Sequence, residues 1–210
     1  MADNYLEKKF EEYRSAAPRK KTGASLSTLL RKNRSYRGYD KSVEVTMAQL
    51  RRIVETNTRI PSGRNQQVLR FKLVTKDSGA EIVLRNIKLG GALPELHLPY
   101  PGTEPEAFII ICTTAPADKW VYMDTGISAQ SMLLKATEMG LGGICIGAFD
   151  KEAVTRAFSL ECEPLLILAI GKPAEKIELT TINGGESHAY YRRDGIHYVP
   201  KLPVDELILK

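Results

Sequence analysis

The stretch from Asp118 to Met139 is the longest helical pattern in the chain. Ile127, Met132, Leu133, Leu134, Ala136 and Met139 put apolar side chains around much of its circumference. A helix that is apolar on more than one side has to be covered on more than one side, so this one is expected at the centre of the fold. The other segments are shorter. Ser25 to Lys32 reads as a helix with Leu26, Leu29 and Leu30 on one side. Thr46 opens the next with Gln49 three positions on as a capping box, and Leu50, Ile53 and Val54 form its apolar stripe before Pro61 and Gly63 turn the chain. Val68 to Thr75 alternates like a strand, and Asp77 or Ser78 caps a helix through about Lys88.

Gly90 to Pro105 holds too many breakers for regular structure and reads as a long loop. Ala107 to Thr114, Ile144 to Ile146 and Leu165 to Gly171 read as strands, Gly140 as the end of the long helix, and Asp150 as the cap of a helix to about Phe158. This order predicts an α+β or α/β fold, with helices separating three or four short strands. Asp3 to Tyr13 has helical composition, and Arg14, Arg19, Lys20 and Lys21 make a basic run after it. Residues 1–23 are therefore expected to be an N-terminal helix and linker, and 24–210 a single domain.

Composition narrows the function classes. A chain of 210 residues that is 43% hydrophobic buries a sizeable core within one domain. Its longest apolar stretches, Phe108 to Cys112 and Leu165 to Ile170, are too short to span a bilayer, and the first residues lack a signal-peptide pattern. A cytoplasmic protein with no membrane partner is expected. Cys112, Cys145 and Cys162 are odd in number, lack C-x-x-C spacing and mostly sit among apolar residues, which suits buried free thiols. His97, His188 and His197 lack ligand spacing, so no metal is expected. The formal charge of +5 favours anionic ligands, but no groove-reading motif or interleaved aromatics point to nucleic acid.

Three short stretches carry the chemistry. Arg34-Ser35-Tyr36-Arg37 offers two guanidiniums and a hydroxyl to an anion, and arginine's planar fork suits phosphate oxygens. Pro61-Ser62-Gly63-Arg64-Asn65-Gln66-Gln67 is a polar turn with a flexible glycine. Gly140-Leu141-Gly142-Gly143, running on to Gly147-Ala148-Phe149-Asp150, is a glycine-rich passage whose backbone N–H groups could approach a planar ligand. It follows a long helix and does not link a first strand to its helix, so it is not a Rossmann turn.

In this order the motifs resemble the FMN-dependent nitroreductase family, from about Ser25 to Ile170. Arg34-Ser35-Tyr36-Arg37-Gly38-Tyr39 is similar to the family segment that holds the ribityl phosphate. Pro61, Ser62, Gly63, Asn65 and Gln67 resemble the loop that meets the flavin from the other subunit. Asp124-x-Gly126, Gln130 and Met139 to Gly143 resemble the central dimer-interface helix and its turn.

The chain departs from the family at two places. Gln67-Val68-Leu69 stands for Gln-Pro-Trp, and Cys145-Ile146-Gly147-Ala148-Phe149 for Pro-x-Glu-Gly-Phe, so the glutamate position is Gly147. Val199-Pro200-Lys201-Leu202-Pro203 is similar to a segment whose lysine contacts the phosphate, without the arginine that follows; Arg192 or Arg193 is the substitute at hand.

The resemblance implies an intertwined homodimer with a mixed, largely antiparallel sheet flanked by helices and two FMN sites at the interface. Arg34, Ser35, Arg37 and Lys201 would neutralise the phosphate, and Ser62 and Asn65 would contact the flavin edge or ribityl chain. Cys145 and Ile146 would line the site. No catalytic side chain is implied, since FMN N5 accepts the hydride with the backbone N–H of Gly147 or Ala148 beside it. NAD(P)H would reduce FMN and leave, and a nitroaromatic, quinone or similar planar acceptor would follow by ping-pong. Tyr100 or Phe149 is available to stack on it. The alternatives are a non-catalytic flavin- or nucleotide-binding protein, a flavin-dependent dehydrogenase or dehalogenase of the same fold, and an unliganded dimeric scaffold.

Overall fold

The computed structural model describes residues 23–91 and 93–209, with positions 4, 7, 8 and 11 in isolation. The N-terminal helix and basic linker expected before residue 23 lie outside the described residues, apart from those isolated positions. Leu69–Val74 forms β1, Ala107–Thr113 β2, Gly142–Ile146 β3 and Glu163–Gly171 β4. These strands make one sheet in the order β1-β2-β4-β3, and every pairing is antiparallel.

All seven residues of β2 are buried, because helices cover both faces of the sheet. Strand alternation sends Ala107, Ile109 and Ile111 to one face and Phe108, Ile110 and Cys112 to the other. Besides α1 (Leu26–Lys32), the helices are α2 (Met47–Val54), α3 (Ala80–Arg85), α4 (Lys119–Glu138), α5 (Lys151–Phe158) and α6 (Val204–Leu207). Leu50 and Ile53 of α2 pack on the first face with Ala129, Met132, Leu133 and Ala136 of α4. Ala80 and Val83 of α3 and Val154 of α5 pack on the second. The domain thus has three layers.

The helix starts follow the sequence. Ser25 caps α1, Thr46 and Gln49 form the capping box of α2, and the Asp118 carboxylate accepts the Trp120 and Val121 N–H groups at 2.9 Å. Asp150 accepts the Ala153 N–H at 2.9 Å. The helix expected from Asp77 or Ser78 to Lys88 is a correction. Gly79 sits at φ 106°, so Lys76–Ser78 is a separate 3-10 turn and α3 begins only at Ala80. It ends at Arg85, where Asn86 turns its amide onto the Ile82 carbonyl at 2.8 Å and Ile87 bridges to Phe149.

The strand count is also corrected, to seven among the described residues. Lys176–Thr181 (β5), Tyr191–Arg193 (β6) and Ile196–Lys201 (β7) form a second sheet in the order β5-β7-β6, with β5 parallel and β6 antiparallel to β7. These strands are short, polar and mostly half-exposed, so they lack the apolar run that marks β2. The expectation for α4 holds on one broad side only. Val121, Thr125, Ala129, Met132 and Ala136 are buried, whereas Trp120, Met123 and Ile127 are 45%, 56% and 39% exposed. Among the described residues no helix is long and apolar enough to cross a membrane.

Candidate active site

The segment Arg34–Arg37 runs along the outer edge of β3. Ser35 forms a parallel bridge with Gly143, and the Tyr36 N–H donates to the Gly143 carbonyl at 3.2 Å. This approach is the reason for one glycine, and the packing of β3 on β4 for the next. A Cβ at Gly142 would stand 2.6 Å from the Tyr36 ring, and one at Gly143 would stand 2.3 Å from the Ala169 carbonyl oxygen. Gly142 and Gly143 therefore serve close packing within the protomer.

The Arg34 guanidinium donates to the Leu30 carbonyl at 2.6 Å, near the C-terminal end of α1 where a cation is favoured. Arg37 donates to the Ser35 carbonyl at 3.0 Å and lies 5.1 Å above the Tyr190 ring. Yet Nε of Arg34, of Arg37 and of Arg192 is buried without a hydrogen-bond partner among the described residues. More than about nine in ten buried polar groups are satisfied in folded proteins. Each orphaned donor costs about 1–3 kcal/mol, more when charged. A phosphate, with several acceptor oxygens, is the kind of group such donors fit.

The Glu175 carboxylate accepts the backbone N–H groups of Arg37 and Gly38, the latter at 2.6 Å, and pairs with Arg192. Behind it His197 is only 2% exposed, with its ring 5.0 Å from that of Tyr190. Burial, helped by the Arg37 and Arg192 charges, pushes the imidazole pKa down. Sequence reasoning missed Glu175, Tyr190 and His197. They follow β4 in a region whose strands had gone unread, and no motif marks them.

At the far end of β3, Ile146 is buried, while Cys145, Gly147 and Ala148 are exposed; Cys145 thus corrects the expectation that the thiols are buried. Neither the Gly147 nor the Ala148 N–H has an acceptor among the described residues. The Ala148 carbonyl accepts the Lys88 N–H at 2.8 Å, which fixes the segment while leaving those donors free. Phe149 is partly buried against the second core cluster, so packing accounts for it. Tyr100 is 42% exposed, with the Arg192 guanidinium 5.6 Å from its ring centre.

Pro61 to Gln67 lies elsewhere, against the first turns of α4. The Gly63 N–H donates to both carboxylate oxygens of the buried Asp124, at 2.8 and 3.0 Å. Ser62 Oγ accepts the Gln67 N–H at 3.3 Å, and the Gln67 amide donates to Asn65 Oδ1 at 3.1 Å. Arg64, Asn65 and Gln67 have φ of 51°, 54° and 50°, a run of left-handed residues of the kind found where a loop's shape serves a ligand.

The structure therefore brings Arg34, Ser35, Arg37, Cys145, Ile146, Gly147 and Ala148 to the β3 edge, and leaves Pro61, Ser62, Gly63, Asn65 and Gln67 beside the start of β1, the opposite edge. The edges are about 14 Å apart at ordinary strand spacing. The face between them carries α4. Lys201 is apart from both groups, exposed at the end of β7 opposite Thr181.

A three-layered α+β fold with an anion-ready strand on one sheet edge and a strained polar loop on the other defines the class. The chain belongs to the nitroreductase family, whose model, described as "Nitroreductase family", matches residues 30–172. YdgI of Bacillus subtilis, provisionally named an NAD(P)H nitroreductase, is 25% identical over 184 residues, which cover 70% of this chain and 88% of that protein. Among solved structures, an FMN-dependent nitroreductase from Clostridium difficile R20291 superposes with a TM-score of 0.57 at 23% identity, covering 70% of this chain and 87% of the other. A protein from Desulfovibrio desulfuricans, provisionally named a nitroreductase and crystallised in complex with FMN, gives 0.63 at 23% identity over 90% of this chain and 98% of its own.

Proposed function

We propose that this protein is an FMN-dependent oxidoreductase that uses NAD(P)H to reduce nitroaromatics, quinones or similar planar acceptors. The observation that carries the reading is the set of buried, unpartnered guanidinium donors on Arg34 and Arg37, at the position where the family motif holds a phosphate. Family membership and FMN in the Desulfovibrio desulfuricans structure support it.

The residues divide the work by chemistry. Arg34, Ser35 and Arg37 neutralise the phosphate, whereas Lys201 stands apart from them within the protomer. The free N–H groups of Gly147 and Ala148 donate to the flavin ring edge. Ser62 and Asn65 give polar contacts to the ring or the ribityl chain, with Pro61, Gly63 and Gln67 shaping their loop. Bound there, FMN would supply the two-electron chemistry, taking hydride from NAD(P)H and passing electrons to the acceptor. No side chain has to act as acid or base, and the protein's part is to bind, orient and expose one face of the ring.

The site is completed by a second copy of the chain. Its two halves occupy opposite sheet edges, so one protomer's 61–67 loop meets the other's Arg34–Arg37 strand in a two-fold dimer. The exposed Trp120, Met123 and Ile127 of α4, with Leu26 and Leu30 of α1, supply an apolar surface for that contact. Leu207, Ile208 and Leu209 are likewise exposed, as suits a tail that wraps a partner. Steady-state turnover with NADH or NADPH and a quinone tests the reading. Parallel double-reciprocal lines are expected. Intersecting lines would overturn the ping-pong order, and absence of turnover with every acceptor class would leave a flavin-binding protein.

A further inference from the structure

We infer that Arg85 and Lys88 dock a singly charged oxyanion, a carboxylate or phosphodiester, carried by the molecule that exchanges electrons with the flavin. The inference rests on the FMN reading above and adds a chemical feature of its substrates.

Residues 86–88, just past α3, pair with residues 148–150, just past β3. Ile87 bridges to Phe149, the Lys88 N–H donates to the Ala148 carbonyl at 2.8 Å, and the Asp150 N–H donates to the Asn86 carbonyl at 2.9 Å. Ile87 and Phe149 pack against the second core cluster. Strand alternation therefore turns Asn86, Lys88, Ala148 and Asp150 the other way. These six residues and Arg85 line an open cleft of about 510 Å³. The cleft starts at Ala148, whose N–H, like that of Gly147, has no acceptor among the described residues and is assigned above to the ring edge. A reactant lying on that ring would carry its substituents toward the cleft.

The charges of the cleft are unbalanced. Lys88 makes no ion pair among the described residues. Arg85 meets only Glu81, which lies outside the cleft lining, at 3.8 Å with both side chains mostly exposed, a contact that holds it weakly. Asp150 is the opposing charge, and one of its oxygens is engaged with the Ala153 N–H at 2.9 Å as the cap of α5. The Asn86 amide is likewise committed, to the Ile82 carbonyl. Two cations against one carboxylate leave one net positive charge in the lining, which matches a group of single negative charge. Arginine's fork suits two oxygens of such a group, and the flexible stem of Lys88 lets its ammonium follow a third contact.

Two molecules could bring this oxyanion, a carboxylated acceptor or the nicotinamide donor with its pyrophosphate, and the test separates them. For the acceptor the probes are 4-nitrobenzoate and 4-nitrobenzamide, close in shape and different in charge, titrated into the oxidised holoprotein and followed by the flavin difference spectrum. For the donor they are NADH or NADPH, whichever reduces the flavin faster, and uncharged 1-benzyl-1,4-dihydronicotinamide, followed by anaerobic bleaching. Both side chains are exposed, so the double variant Arg85→Gln, Lys88→Gln should fold.

In at least one pair the double variant should lose about three- to tenfold for the charged member, the scale of two partly exposed charge contacts, and keep the wild-type value for the neutral one. Lys88→Arg, which keeps the charge, should stay near wild type. A selective loss for 4-nitrobenzoate assigns the oxyanion to the acceptor, and a selective loss for the nucleotide assigns it to the donor. Equal changes for charged and neutral members of both pairs, or no change in any, would overturn the inference. Wild-type protein that binds no FMN, or whose bound flavin neither nucleotide reduces, would instead refute the FMN reading, and this inference with it.

Discussion

Asp124→Ala should unpin the 61–67 loop. In the folded protein both oxygens of this buried carboxylate receive the Gly63 N–H, at 2.8 and 3.0 Å. A hydrogen bond to a charged acceptor contributes about 1.5–3 kcal/mol, and its removal leaves the half-buried Gly63 donor unpaired. The loop adds its own tension through Arg64, Asn65 and Gln67, whose left-handed conformations cost on the order of 1 kcal/mol or more each without an anchor.

The alanine variant should therefore lose about 2–3 kcal/mol in urea unfolding, while Asp124→Asn, which keeps one oxygen as acceptor, should lose only about 1 kcal/mol. Trp120, the single tryptophan, sits one turn earlier on the same helix and reports the change by fluorescence. Protein concentration must be held fixed, since the stability of the proposed dimer would depend on it. An alanine variant within 0.5 kcal/mol of wild type, or an asparagine variant as damaged as the alanine one, would refute the reasoning.

Other perturbations separate packing from chemistry. Gly142→Ala puts a methyl 2.6 Å from the Tyr36 ring and 2.7 Å from Pro173, and should cost about 1–3 kcal/mol in urea, with weaker FMN binding as the Arg34–Arg37 strand is pushed outward. Met132→Ala, at a fully buried position between α4 and the sheet, should cost about 2–5 kcal/mol and leave FMN affinity per folded molecule unchanged. Arg37→Ala should weaken FMN by about 1.5–3 kcal/mol, roughly 10- to 150-fold in Kd, as read by fluorescence quenching.

His197 predicts a pH effect. Its folded pKa lies below the unfolded value of about 6.5, so the unfolded chain binds the extra proton. Stability is full above about pH 6.5 and falls as pH drops from there toward the folded pKa. Urea midpoints of wild type and His197→Asn at pH 7.5 and 5.5 should show a smaller acid loss in the variant.

Much of the frame was legible because it rests on local signals. The capping box at Thr46 and Gln49, the cap at Asp150, and the apolar run of β2 each fix their element with neighbours a few residues away. What went unread depends on distant partners. β5 to β7 are held by pairing with each other and by Glu175 reaching Arg37, and neither leaves a periodicity in the chain. Gly142 and Gly143 were visible as glycines, but Tyr36 and Ala169 give their reason. The candidate residues were named from motif order, whereas their division between two sheet edges appeared only with the strand order.

The central claim is that this chain binds a flavin which NAD(P)H reduces. An anaerobic visible spectrum of the purified protein, supplied with FMN and then with NADH and NADPH in turn, tests it most directly. Bound flavin absorbance that bleaches on adding either nucleotide is the predicted result. Bound flavin that stays oxidised under both, or FMN that does not bind at all, would contradict it.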